Sequence, residues 1–164
     1  MIAARRWASA WALCAVLGLT GCASLRFPAA VPTGASWSGR LALQVRDDAA
    51  QSFSAAFELR GAPESGELTL FTPLGGTAAL LRWTPGAAVL VSNGQTRQFE
   101  SLDALVLQAT GAALPVTALF DWLAGTPTPV AGWRPDVSGL PQGRLLAHRM
   151  APPPVADLRV VLDR

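Results

Sequence analysis

The sequence predicts a mainly β (α+β) fold, an incomplete antiparallel β-barrel with two or more helices covering its concave apolar face. Three observations predict it. From Trp37 to Glu100 the chain is a series of short runs of alternating apolar and polar residues, joined by tight turns. Between Ser101 and Gly125 the apolar period lengthens to that of amphipathic helices. From Gly132 to Leu162 alternation returns, broken by Pro- and Gly-rich turns. Helices set into an antiparallel meander cover one of its faces. A curved sheet of eight or nine strands encloses a volume, and two such helices can close one side of it. Periodicity alone leaves open whether that volume is an apolar hollow or a fully packed core.

Taken in order, the chain begins with a leader. Arg5 and Arg6 precede the apolar run Trp7–Leu19, and no acidic residue comes before Asp47. At roughly 1.5 Å per helical residue the run would cover about 20 Å, short of a hydrocarbon core of about 30 Å, so it reads as a signal peptide rather than a membrane span. It ends in Leu19-Thr20-Gly21-Cys22, an aliphatic residue, two small ones and a cysteine. This resembles the lipobox of bacterial lipoproteins. The resemblance implies cleavage after residue 21 and attachment of diacylglycerol to the Cys22 thiol, the nucleophile of the group. Removing residues 1–21 from a chain of 164 leaves 143 and takes two of the 13 basic residues, so eleven remain against eleven acidic ones. No basic run is left to hold nucleic acid. The mature chain keeps Cys22 as its one cysteine and can form no internal disulfide. Two or three acyl chains, at about 0.8 kcal/mol per buried CH₂, anchor a protein stably where one does not.

Residues 22–36, with Pro28, Pro32 and Gly34, read as a flexible tether, and residues 37–164 as a single domain. In Gly39–Arg46, Leu41, Leu43 and Val45 alternate with polar or small neighbours. Asp47-Asp48 makes a turn, and Ser52–Leu59 alternates again around Phe53, Ala55, Phe57 and Leu59. Further strands are predicted at Glu67–Thr72, Thr77–Trp83, Ala88–Ser92 and Thr96–Glu100, with Asn93-Gly94 as a hairpin turn because both residues tolerate positive φ. Ser101 can cap a helix carrying Leu102, Leu105, Val106 and Ala109 on one face, and Gly111 can end it. Pro115 suits the first turn of a second helix, with Val116, Leu119, Phe120 and Leu123 on one face and Gly125 and Pro127 to stop it. Gly132–Val137, Arg144–Met150 and Val155–Leu162 are the last strands. Inward-facing positions expected to line a hollow are Leu43, Phe57, Leu81 and Trp122.

Catalytic chemistry is hard to find. The single histidine, His148, sits in a predicted strand and reads as a surface or partly buried residue. No nucleophile elbow, P-loop, dinucleotide fingerprint or metal-ligand spacing appears, and Asp47-Asp48 is a solvated turn rather than a catalytic pair. Asp121, on the second helix, is expected to face water. The chain is therefore read as no enzyme, with no catalytic residue, metal or cofactor beyond the lipid expected on Cys22. One feature is unusual. Pro73-Leu74-Gly75-Gly76 joins two strands, and leucine is not an ordinary apex residue. Leu74 is either an apolar finger aimed at a membrane or partner, or a side chain folded back onto the sheet.

With these residues in view, the chain resembles the LolB family of outer-membrane lipoproteins. The likeness begins at Trp37-Ser38-Gly39-Arg40 and Phe53-Ser54-Ala55-Ala56-Phe57. It is strongest in Leu70-Phe71-Thr72-Pro73-Leu74-Gly75-Gly76-Thr77, and continues through Thr110-Gly111, Leu114-Pro115-Val116 and Leu119-Phe120-Asp121-Trp122-Leu123-Ala124-Gly125. The resemblance implies an unclosed barrel that binds acyl chains, and a function in which lipoproteins are accepted from a periplasmic LolA-like carrier and inserted into the outer membrane. It maps the family's membrane-insertion loop onto Pro73, Leu74 and Gly75. It implies as partners the carrier, cargo lipoproteins with their acyl chains, and outer-membrane lipid, with no nucleic acid. The protein would be lipid-anchored in the outer membrane, facing the periplasm. Ala23 and Ser24 agree with this, since the Asp that many Gram-negative bacteria place after the cysteine for inner-membrane retention is missing. The chain departs from the family pattern in showing no helix between tether and first strand. The competing reading is a structural or accessory envelope lipoprotein that uses the sheet as a protein-docking surface.

Overall fold

The computed structural model describes residues 33–46, 48–110 and 114–163. The signal peptide, Cys22, most of the tether, Asp47 and Gly111 lie outside the described residues. Nine strands form one antiparallel sheet: β1 (Ala35–Val45), β2 (Phe53–Gly61), β3 (Gly66–Phe71), β4 (Thr77–Thr84), β5 (Ala87–Ser92), β6 (Gln95–Phe99), β7 (Trp133–Asp136), β8 (Arg144–Arg149) and β9 (Ala156–Leu162). Their spatial order is β6-β5-β4-β3-β2-β1-β9-β8-β7. The first six strands form a meander, and the last three return to the free side of β1, which pairs with both β2 and β9. No ladder joins β6 to β7 among the described residues, so the sheet is an unclosed barrel.

Alternation builds the core. Leu41, Leu43 and Val45 of β1, Phe57 and Leu59 of β2, and Leu81 and Trp83 of β4 all turn to one face and are buried. β1 begins at Ala35, which pairs with Gly61, so the ladder takes two residues that were expected in the tether. The hairpin between β5 and β6 forms as the turn residues require: Asn93 has φ 53° and Gly94 φ 72°, with Ser92 opposite Gln95.

Helix α1 (Leu102–Thr110) and helix α2 (Val116–Leu123) follow β6. The Ala104 amide donates to Ser101 Oγ at 3.1 Å, the expected N-cap bond. Pro115 stands just before α2 rather than in its first turn, and its carbonyl accepts from the Leu119 amide at 3.1 Å. Gly125, with φ 93°, stops the helix. The buried face of α2 holds Val116, Leu119, Phe120 and Leu123, and also Ala118 and Trp122. Phe120 packs edge-on against Trp37 of β1 and Trp83 of β4, at centroid distances of 5.7 and 6.1 Å. Trp122 tilts against Trp133 of β7, and its indole N–H donates to the Thr128 carbonyl at 2.9 Å. α2 therefore lies on the concave face and ties its β1–β4 part to its β7 part. Asp121 is not turned to bulk water as expected: it is half-buried and accepts from the Thr128 hydroxyl at 2.7 Å, closing the loop after α2.

Candidate functional site

Where α2 does not reach, the concave face stays open. A hollow of about 370 Å³ remains, within the ~300–1,000 Å³ range of ligand clefts. Its floor is Leu41, Phe53, Leu68, Leu70, Leu81 and Leu90, one or two residues from each of β1 to β5. Its other wall is Val106 and Ala109 of α1 together with Leu114 and Val116 at the start of α2. Ala109 is exposed yet lines the hollow, so it stands at the opening. Polar groups in the lining are few. They are Gln51, Arg97 and Ser92, and Ser92 Oγ donates to the Ala78 carbonyl at 3.2 Å.

Of the four positions expected to line a hollow, the structure brings only Leu81 to it. Leu43, Phe57 and Trp122 point to the same interior but are packed solid, at 0%, 3% and 0% exposure. Leu43 lies beside Leu158 of β9, and Trp122, on α2 itself, packs against Trp133 of β7, where side chains fill the space. Alternation gives the facing of a strand residue. It does not tell which inward residues a helix covers, so Leu41, Leu68, Leu70 and Leu90 were as legible as Leu43 without being separable from it.

The turn between β3 and β4 is the second feature. The Gly75 amide donates to the Thr72 carbonyl at 2.9 Å, the Thr72 amide to the Gly76 carbonyl at 2.7 Å, and the Gly76 amide to Thr72 Oγ1 at 3.1 Å. Pro73 presets φ at the first central position, and Gly75 takes the left-handed φ of 84° that lets the strands rejoin. Leu74 stands at the apex, 99% exposed. It is not folded back onto the sheet. In the meander, the connections after β1, β3 and β5 leave the same end of the strands, so this turn and Gln51 at the rim of the hollow share one end of the sheet.

No catalytic constellation appears among the described residues. His148 is exposed, with Nδ1 2.6 Å from Asp157 Oδ1 of β9. No group of three or more His, Cys, Asp or Glu comes together there, and no described helix is long and apolar enough to cross a membrane.

Comparison with known proteins agrees with this geometry. The family model described as "Outer membrane lipoprotein LolB" matches residues 35–149. The chain is 40% identical over 126 residues to the outer-membrane lipoprotein LolB of Bordetella parapertussis, covering 73% of this chain and 63% of that protein. It is 35% identical over 145 residues to the protein of the same name from Bordetella petrii, 84% of this chain and 71% of the relative. To that of Ralstonia nicotianae it is 35% identical over 121 residues, 68% and 58%. The chain thus spans less than two thirds of the first of these relatives. The match covers the meander, both helices and the start of the returning strands, and on it the chain belongs to the outer membrane lipoprotein LolB family.

Proposed function

We propose that the protein localises lipoproteins: it accepts them from a periplasmic carrier of the LolA kind, holds their acyl chains in the apolar hollow, and releases them into the outer membrane, to which it is itself anchored by lipid on Cys22. The observation that carries this reading is the pairing of an apolar hollow with a wholly exposed leucine on a hydrogen-bonded turn, both served by one end of the sheet. Several acyl chains of some fifteen carbons each cost on the order of 30 kcal/mol to expose to water. Cargo must then pass from one apolar hollow to another and into lipid without crossing solvent. No nucleotide is needed for a hand-off that runs down a gradient of apolar contact. Leu74 supplies the last contact: a single leucine entering the bilayer contributes roughly 1.5–3 kcal/mol to docking this end of the sheet on the membrane.

A transfer assay tests the proposal. Carrier loaded with lipoprotein is mixed with this protein and with outer-membrane vesicles, and cargo is counted in each fraction. Wild type is expected to empty the carrier and fill the vesicles. Leu74→Glu is expected to empty the carrier and retain the cargo. A protein that takes nothing from the carrier would sink the proposal and leave the docking-surface alternative in its place.

A further inference from the structure

We propose that Gln51 and Arg97 form a polar subsite in the apolar hollow that binds the head of an acylated cysteine, its amide and ester groups, and so selects lipoprotein cargo over free fatty acid or phosphate-bearing lipid. The inference rests on the hollow being the acyl-chain site.

Gln51 and Arg97 line the hollow from opposite flanks of its floor, one from the connection between β1 and β2, the other from β6. Gln51 closes the 3-10 turn Ala49–Gln51. Its backbone amide donates to Asp48 Oδ1 at 3.2 Å, and Ser52 Oγ accepts from the Val45 amide at 2.8 Å, so the backbone that carries the side chain is fixed. Its Oε1 is buried and has no hydrogen-bond partner among the described residues. Buried acceptors are nearly always satisfied, so at the rim of the hollow this oxygen takes a donor from water when the hollow is empty and from the occupant when water is displaced. Arg97 is exposed, makes no ion pair among the described residues, and holds its guanidinium 6.0 Å from the centre of the Phe99 ring. It offers several N–H donors and no acceptor.

The two groups together ask for a ligand that carries a donor for Gln51 and acceptors for Arg97. An N-acylated, S-diacylglyceryl cysteine has both: its amide N–H can donate to Gln51 Oε1, and its amide and ester carbonyls can accept from Arg97. A fatty-acid carboxylate or a lipid phosphodiester satisfies Arg97 but offers Gln51 only acceptors, so the amide must turn over to present Nε2 or leave Oε1 without a donor from the ligand. Apolar walls hold the chains of all three alike, so selection falls to this pair.

The test uses the mature chain with Cys22→Ser, so that its own lipid does not fill the hollow. Three ligands are compared: a fluorescent neutral alkyl probe, a tripalmitoylated cysteinyl peptide, and palmitate, the last two by displacement. Wild type is expected to bind the lipopeptide about tenfold or more tighter than palmitate, a difference of about 1.4 kcal/mol. Gln51→Leu and Arg97→Met are each expected to weaken the lipopeptide about tenfold and leave the alkyl probe within about twofold. Unchanged lipopeptide binding in both variants overturns the subsite, as does an equal loss of lipopeptide and alkyl probe. Failure of the wild type to bind the alkyl probe overturns the acyl-chain reading itself, an outcome distinct from either.

Discussion

At the scale of single residues, Leu74 and Cys22 carry the sharpest expectations. Leu74 is 99% exposed and contributes nothing to the core, so Leu74→Glu should change stability by no more than about 0.5 kcal/mol, as surface substitutions do. Delivery to membranes should nevertheless fall about a hundredfold, because the loop loses roughly 1.5–3 kcal/mol of burial and gains a carboxylate that must be desolvated. Thermal melting and vesicle delivery measured on the one variant separate the two effects. Gly75 tests the turn from the other side. A Cβ there would meet nothing within 4 Å, but φ is 84°, so the cost of Gly75→Val is backbone strain alone. It should destabilise by about 1–2 kcal/mol, read as a shift in the denaturation midpoint, and should misdirect Leu74. Cys22 lies outside the described residues. Mass spectrometry of the mature protein should find an acylated cysteine at its N-terminus, and Cys22→Ala should leave a precursor that is neither lipidated nor cleaved.

At the scale of elements, α2 and the strands beneath it divide the concave face into a packed part and an open part. Phe120 is the wedge of the packed part, edge-on to Trp37 and Trp83. Phe120→Ala should cost about 3–5 kcal/mol, the usual loss for a buried phenylalanine with a cavity left behind. Leu70 of β3 is only half-buried and faces the hollow. Leu70→Trp should fill that space with a stability change under about 1 kcal/mol, while alkyl-probe binding falls about tenfold or more. Urea denaturation and probe titration on the two variants check the division. If Leu70→Trp unfolds the protein as Phe120→Ala does, the space beside Leu70 is core rather than site.

At the scale of the whole molecule, the open sheet puts the apolar hollow and the exposed leucine at one end. Nine strands curl without closing, so the interior keeps an entrance that a closed barrel of similar strand number would fill with side chains. The turn bearing Leu74 and the connection bearing Gln51 leave the sheet at one end, so a molecule docked on a membrane by Leu74 presents its hollow there. On the proposed function, the address of the protein is set elsewhere, by lipid on Cys22 and by Ala23 in place of Asp. Membrane fractionation should recover the native protein with the outer membrane, and Ala23→Asp should move it to the inner membrane.

What the sequence by itself determined was local. The nine alternating runs, the Asn93-Gly94 hairpin, the Ser101 cap, the α2 stop at Gly125 and the leucine-tipped turn are set by neighbours within a few residues. Their hydrogen bonds and φ angles are chosen by side chains in the same segment, which is why their positions in the structure fall within a residue or two of those read from the chain, apart from β1, which starts four residues before Gly39 where it pairs with the end of β2. What only the tertiary structure decided was the division of the interior. Leu43, Phe57 and Leu81 have the same facing and nearly the same chemistry, yet only Leu81 meets empty space. That outcome depends on where α1 and α2 settle across the sheet, a matter of contacts between residues far apart in sequence. Gln51 escaped notice for the same reason: a glutamine in a turn is ordinary until the fold buries its oxygen at an apolar hollow with no donor among the described residues.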